Sequence, residues 1–172
     1  MNLLHVKREV PRPMAALVSE DFRRACGRFA TGVAVAGVLD GEGAPHGLTV
    51  SSVASVSLDP PLILICIAHT AASIAFFRAA RHFGLSMLAE NQRDLSERFA
   101  RKDHDRFDGL DWLPGETGVP LVDGALAHIE CAVRRRVTAG DHDIFIGEAV
   151  GARVRTGDPL VHYASRYRRL AP

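Results

Sequence analysis

Apolar and polar positions alternate with period two over much of this chain, and stretches with the 3.6-residue period are few. "VAVAGVL" at 33–39 reads as a strand, and "DGEG" at 40–43 supplies hairpin-turn chemistry. "PHGLTVSS" and "VASVSL" then form the returning strand and its continuation, interrupted by a polar bend. "LILICIA" at 62–68 is continuously apolar, which predicts a strand covered on both faces, and "FGLSMLA" at 83–89 is another strand. In "IECAVRRRVT", Ile129, Cys131, Val133 and Val137 alternate with polar neighbours. Polar "AGDHD" follows, and Ile144, Ile146, Val150, Ala152 and Val154 then mark one face of a second long strand. "TGDP" is a turn, and "LVHYASRYRRL" closes the chain.

Three segments read as helices. Ser19 is an N-cap followed by Glu20 and Asp21, with Phe22, Cys26 and Phe29 on one face, the helix ending near Gly32. Thr70 caps a second over "HTAASIAFFRAARH", Ile74 and Phe77 facing inward. Asn91, with Asp94 three residues on, caps a third whose core face carries Leu95 and Phe99. Many strands at short spacing with few helices predict a mainly β fold, a closed antiparallel barrel decorated by helices. No Gly-x-Gly-x-x-Gly follows a strand, so a dinucleotide-binding Rossmann unit is not supported. Residues 1–18, broken by Pro11 and Pro13, read as an arm preceding one domain at 19–172.

Composition narrows the class. A chain of 172 residues with 47% apolar and 24% charged residues fits one soluble globular domain. A formal charge of +1 gives no electrostatic case for nucleic acid or an anionic membrane as partner. The longest apolar run, "PLILICIA", is far short of a membrane span, and charges and prolines interrupt the N-terminus where a signal peptide would need an apolar stretch. Three widely spaced cysteines argue against a disulfide framework and against a structural zinc site, and the eight histidines are scattered, so no metal is expected. Cytoplasm is the expected compartment.

The chemistry concentrates at "GLTVSSVASVSLDPP", where Thr49, Ser51, Ser52, Ser55 and Ser57 are threaded among valines. Small hydroxyls and backbone amides suit the edge of a flat polar heterocycle; taken alone, the segment is more simply explained by serines bonding a bend between two strands. Thr70 and Ser73 at a helix start can hold a phosphate or merely cap. His142, in a turn between long strands, can point at a pocket or stand in solvent. The segment 101–118 is charged, glycine-bearing and aromatic, an ordered loop: Phe107 or Trp112 can wall a ligand and Arg106 reach a phosphate, or the loop is a solvated surface anchored by Trp112. Cys66 and Cys131 read as core residues.

The ordered series "RFATGVAV", "PHGLTVSSVASVSLDPPLILIC", "FGLSMLAENQRDLSERFA", "RFDGLDW", "GDHDIFIGE" and "GDPLVHYASRY" resembles the flavin-reductase family that supplies reduced flavin to two-component monooxygenases. The resemblance runs from about residue 20 to the C-terminus. It implies the FMN-binding split barrel, a Greek-key variant of the closed antiparallel β-barrel. It also implies reduction of FMN or FAD by NADH or NADPH in a homodimer, with a flavin-dependent monooxygenase as partner. Flavin contacts are implied at Thr31, Thr49, Val50, Ser51, Ser52, Ser55, Ala68, Ser73, Ala89, Asn91 and Gln92, with Arg166 and Tyr167 near the same pocket. His142 is implied on the nicotinamide side. The absence of a Ser-His-Asp or paired-carboxylate set agrees with this, because hydride transfer between bound rings needs orientation rather than an activated side chain. A non-catalytic flavin or haem carrier on the same barrel, or a regulatory subunit of an oxygenase complex, are the rival readings.

Overall fold

The computed structural model describes residues 19–102 and 106–170. The expected arm at 1–18 therefore lies outside the described residues. In chain order the elements are α1 (Ser19–Cys26), β1 (Thr31–Gly32), β2 (Ala34–Leu39), β3 (Pro45–Val50), β4 (Ala54–Leu58), β5 (Pro61–Ala68), α2 (Ile74–Ala79) and β6 (His82–Met87). One 3₁₀ turn at Glu90–Gln92 leads into α3 (Arg93–Ala100), and β7 (Trp112–Pro114), β8 (Pro120–Val122), β9 (Ala127–Ala139), β10 (His142–Val154), β11 (Val161–Tyr163) and β12 (Arg166–Arg168) follow.

A seven-stranded sheet with the order β3-β2-β6-β9-β10-β5-β4 and antiparallel pairing throughout carries the fold. Local chemistry makes its hairpins. The Asp40 carboxylate accepts the amides of Glu42 (2.9 Å) and Ala44 (2.8 Å), and Gly43 takes the positive φ that closes β2 onto β3. Period-two patterning makes β5 present Ile63, Ile65 and Ile67 to the core. Its other face, carrying Leu62, Leu64, Cys66 and Ala68, is only half-buried, so the expectation of two covered faces is corrected.

The edge strands β3 and β4 are consecutive in the chain, joined only by Ser51–Val53, so the sheet curls until its two edges meet at that bend. No ladder joins β3 to β4 among the described residues, and the sheets are not closed into a barrel. The mainly β expectation stands, while the closed Greek-key barrel is not what the hydrogen bonding shows. β3 and β4 each pair on one edge only, with β2 and β5, and among the described residues no ladder bonds join their other edges.

Two apolar clusters lie against the sheet. Ile65, Phe77, Phe83, Leu85 and Phe145 fill the space under α2, and Val33, Val35, Leu88, Phe99, Phe107 and Val122 fill the space under α3. The helices differ from their sequence patterns. α2 starts at Ile74 because residues 69–73 turn instead, with the Ala71 amide on the Ala68 carbonyl, so Thr70 caps nothing. α3 has Gln92 at its cap position with no side-chain cap, not Asn91. α1 ends at Cys26, and Phe22 and Phe29 are exposed rather than in the core.

Candidate functional site

The bend between β3 and β4 is where the sheet offers unspent polar groups. The amides of Ser51, Ser52 and Val53 enter no backbone hydrogen bond among the described residues. Ser52 Oγ donates to the Cys66 carbonyl and accepts the Cys66 amide, both at 3.0 Å, filling on β5 the place that β4 reaches only from Ala54 onward. Burial raises the Cys66 thiol, which keeps it protonated beside that bridge. Ser51 is exposed at the apex and Ser55 is exposed on β4. Val50 is core, so only its backbone is available to a ligand.

On one side of the bend, Thr49 Oγ1 donates to the Ser96 carbonyl (2.6 Å) and Ser96 Oγ shares a hydrogen bond with Tyr167 Oη (2.8 Å). Tyr167 meets the His162 ring edge-on at 5.7 Å and lies under the Arg93 guanidinium, and His162 pairs with Thr31. Thr31, Thr49 and Tyr167, distant in sequence, are therefore assembled on one rim by α3 and the β11–β12 hairpin. Arg166 is exposed on that hairpin, opposite Tyr163.

On the other side, Ala68 is the strand partner of His142. His142 Nδ1 is 2.7 Å from the exposed Asp141 carboxylate, which the imidazole holds below its usual range. Asp143, two residues into β10, is buried and accepts from Arg78 Nε (2.8 Å), Thr138 Oγ1 (2.8 Å) and His69 Nε2 (3.1 Å). The Arg78 guanidinium, with the Thr138 hydroxyl, holds this carboxyl well below the usual carboxylate range.

Several expected residues have other work. Ser73 is buried, its hydroxyl donating to the Gly47 carbonyl (3.0 Å) and accepting from Arg106 (2.9 Å), so it faces the protein rather than a phosphate. Arg106 is also buried, spanning Ser73 and the carbonyls of Gly47 and Arg101, and Phe107 packs edge-on against Phe99 and Trp112. The described part of the 101–118 loop is thus core-anchored and does not offer Arg106 to solvent. Gln92 is structural, its amide bridging the Ala89 amide and the Asp123 carbonyl. Ala89 and Asn91 line a separate cleft of about 460 Å³ with Arg155, Thr156 and Asp158, which shares no lining residue with the 49–52 bend. Ser96, His162, His69 and Asp143 were not among the sequence candidates. Ser96, His162 and Asp143 lie on ordinary helix or strand positions and His69 in the turn after β5, and only the pairing of distant elements reveals them.

The model of the flavin reductase like domain matches residues 26–171. The chain belongs to the flavin reductase like family. It is 46% identical over 142 residues to an FMN reductase (NADH) of Agrobacterium fabrum, covering 83% of this chain and 80% of that protein. It is 42% identical over 146 residues to an actinorhodin polyketide dimerase of Streptomyces coelicolor, covering 84% and 82%. The solved structure of a Streptomyces globisporus NADH:FAD oxidoreductase in complex with NAD and FAD fragments superposes with a TM-score of 0.84 at 40% identity, over 92% of this chain and 98% of that one. In this flavin reductase-like chain "TGVAV" begins at Thr31, the partner of His162 in the three-stranded sheet, "TVSS" runs into the Ser51–Val53 bend, and "GDH" ends at His142, the partner of Ala68. Among the described residues no helix is long and apolar enough to cross a membrane.

Proposed function

We propose that this chain is an NAD(P)H:flavin oxidoreductase that delivers reduced FMN or FAD to a separate flavin-dependent monooxygenase. The observation that carries the reading is the Ser51–Val53 bend on a curled sheet edge, whose amides enter no backbone hydrogen bond among the described residues and whose Ser51 side chain is exposed, in a chain of the flavin reductase like family. Such neutral, fixed donors fit the heteroatom edge of an isoalloxazine without burying an uncompensated charge. The flavin, when bound, supplies the hydride-accepting centre. The bend amides would hold its polar edge, Thr31, Thr49 and Tyr167 would bound it on one side, and His142 would orient the nicotinamide on the other. Orientation of this kind is worth roughly 7–11 kcal/mol in favourable cases, enough to run the transfer without a nucleophile or strong base.

The same reading takes residues 19–172 as one split-barrel domain with residues 1–18 as an arm, and the curled sheet with edges three residues apart supports it. It takes the active form as a homodimer in the cytoplasm. Val56 and Leu58 on the edge strand β4 are exposed, which supports a second copy covering that edge. Steady-state NADH oxidation with FMN and FAD in turn tests the activity. Turnover that saturates in added flavin is expected, and flavin bound without nicotinamide oxidation would instead indicate a carrier.

A further inference from the structure

Ser96 is fully buried in the interior of α3, where alanine would form helix better and would bury no hydroxyl. Its two oxygens bond two different sheets. The backbone carbonyl accepts Thr49 Oγ1 at 2.6 Å from β3 of the seven-stranded sheet. Ser96 Oγ shares a 2.8 Å hydrogen bond with Tyr167 Oη from β12 of the three-stranded sheet. The packing of α3 does not call for this hydroxyl, because Leu95 and Phe99 already anchor the helix on the apolar cluster beneath it. What the hydroxyl and the carbonyl fix together is the spacing between Thr49 and Tyr167.

Arg93 lies three residues before Ser96, so the two share one face of α3. Its guanidinium stands over the Tyr167 ring, 5.1 Å from the centroid, and Glu97 orients it through a 2.8 Å ion pair. One helix therefore holds Tyr167 at two points, the hydroxyl and the ring face. His162, its partner across β11 and β12, meets the ring edge-on, and Thr31 pairs with His162 in turn. Tyr167, His162 and Thr31 thus form a row across three strands whose end is clamped by α3. A half-buried tyrosine on a short hairpin would otherwise have to be ordered at each binding event, at a cost in affinity.

We infer that Ser96 and Arg93 are positioning residues, which hold Tyr167 at a fixed distance from Thr49 and so preorganise that side of the site for the flavin ring. The inference rests on the flavin-reductase reading for its ligand, and its first readout is binding without nicotinamide. Dissociation constants for riboflavin and FMN are measured by flavin fluorescence, with thermal unfolding of each protein alongside. Wild type is compared with Ser96→Ala, Tyr167→Phe, the double variant Ser96→Ala/Tyr167→Phe, and Arg93→Met, which keeps an apolar stem but removes the charge over the ring.

Ser96→Ala and Tyr167→Phe should each weaken both ligands about fivefold, and the double variant should bind no worse than either, because both changes remove the same hydrogen bond. Arg93→Met should weaken them about threefold. In Ser96→Ala the KM for flavin should rise by the same factor as the dissociation constant, with kcat at saturating flavin within about twofold of wild type. Its Tm should stay within about 4 °C of wild type. Wild-type affinity in Ser96→Ala, or losses that multiply in the double variant, overturns the inference. So does a loss of affinity that comes only with a Tm lowered by about 10 °C or more, which would assign Ser96 to the fold alone. This binding pattern without oxidation of NADH or NADPH would sink the proposed activity and leave the positioning role standing. A wild type that binds neither flavin would end both.

Discussion

Ser52 shows how one side chain ties the fold to the site. Its hydroxyl replaces a missing stretch of β4 by bonding both backbone groups of Cys66, and so holds the apex where Ser51 and its neighbours keep their amides open. Ser52→Ala leaves two part-buried backbone groups without that partner and should cost about 1–2 kcal/mol of stability by chemical denaturation, while weakening flavin binding about tenfold in a fluorescence titration. Glu130 illustrates the pH side of the same economy. Burial disfavours its charge, but the Thr117 hydroxyl and the amides of Thr117 and Glu116 outweigh that and hold the carboxyl below its ordinary value. A folded-state pKa lower than the unfolded one stabilises above the unfolded value and is lost as pH falls through the folded one. Glu130→Gln should therefore be less stable than wild type at neutral pH, with the gap closing below about pH 4. Legibility was uneven at this scale. Ser51, Ser52, Ser73, Gln92 and His142 carry the same polar signal, yet Ser52, Ser73 and Gln92 spend their side chains on backbone groups while Ser51 is exposed. Sequence alone cannot tell a polar group facing a ligand from one facing a carbonyl.

Strands were more legible than helices. β9 and β10 follow from period-two patterning, β2, β5 and β6 from short apolar runs, and their turns from Asp40, Gly43 and Gly140. α2 is six residues where the pattern suggested a longer helix, because the turns at 68–74 and the Ser73–Gly47–Arg106 contacts fix residues 69–73 otherwise. β7, inside the charged 101–118 segment, and β8, just after it, were hidden, since three-residue strands have too few positions to show a period. Gly47 on β3 is a junction between these elements. A Cβ there would come within 2.8 Å of the Ala36 carbonyl oxygen and 3.0 and 3.1 Å of the Phe107 and Phe99 rings. Gly47→Ala should destabilise by about 1–3 kcal/mol in thermal or urea unfolding, displacing α3 and with it the Thr49–Ser96–Tyr167 rim.

For the whole molecule, the curled but open sheet has two consequences. It brings β3 and β4 together at one hydroxyl-lined bend, and it leaves the β4 edge exposed with Leu58 93% accessible. If a second copy covers that edge, light scattering should give twice the monomer mass, and Leu58→Asp should shift it toward the monomer. A wild-type monomer at working concentration would remove the homodimer from the account. The barrel was foreseen as closed because strand count and spacing do not reveal whether the first and last edges exchange hydrogen bonds. The central claim concerns the bend and what it holds, and anaerobic mixing of the pure chain with FMN or FAD and a nicotinamide reads it out most directly. The account predicts that the oxidised flavin absorbance bleaches on adding NADH or NADPH, with slower bleaching in Ser52→Ala. A flavin that keeps its colour with both nucleotides would contradict it.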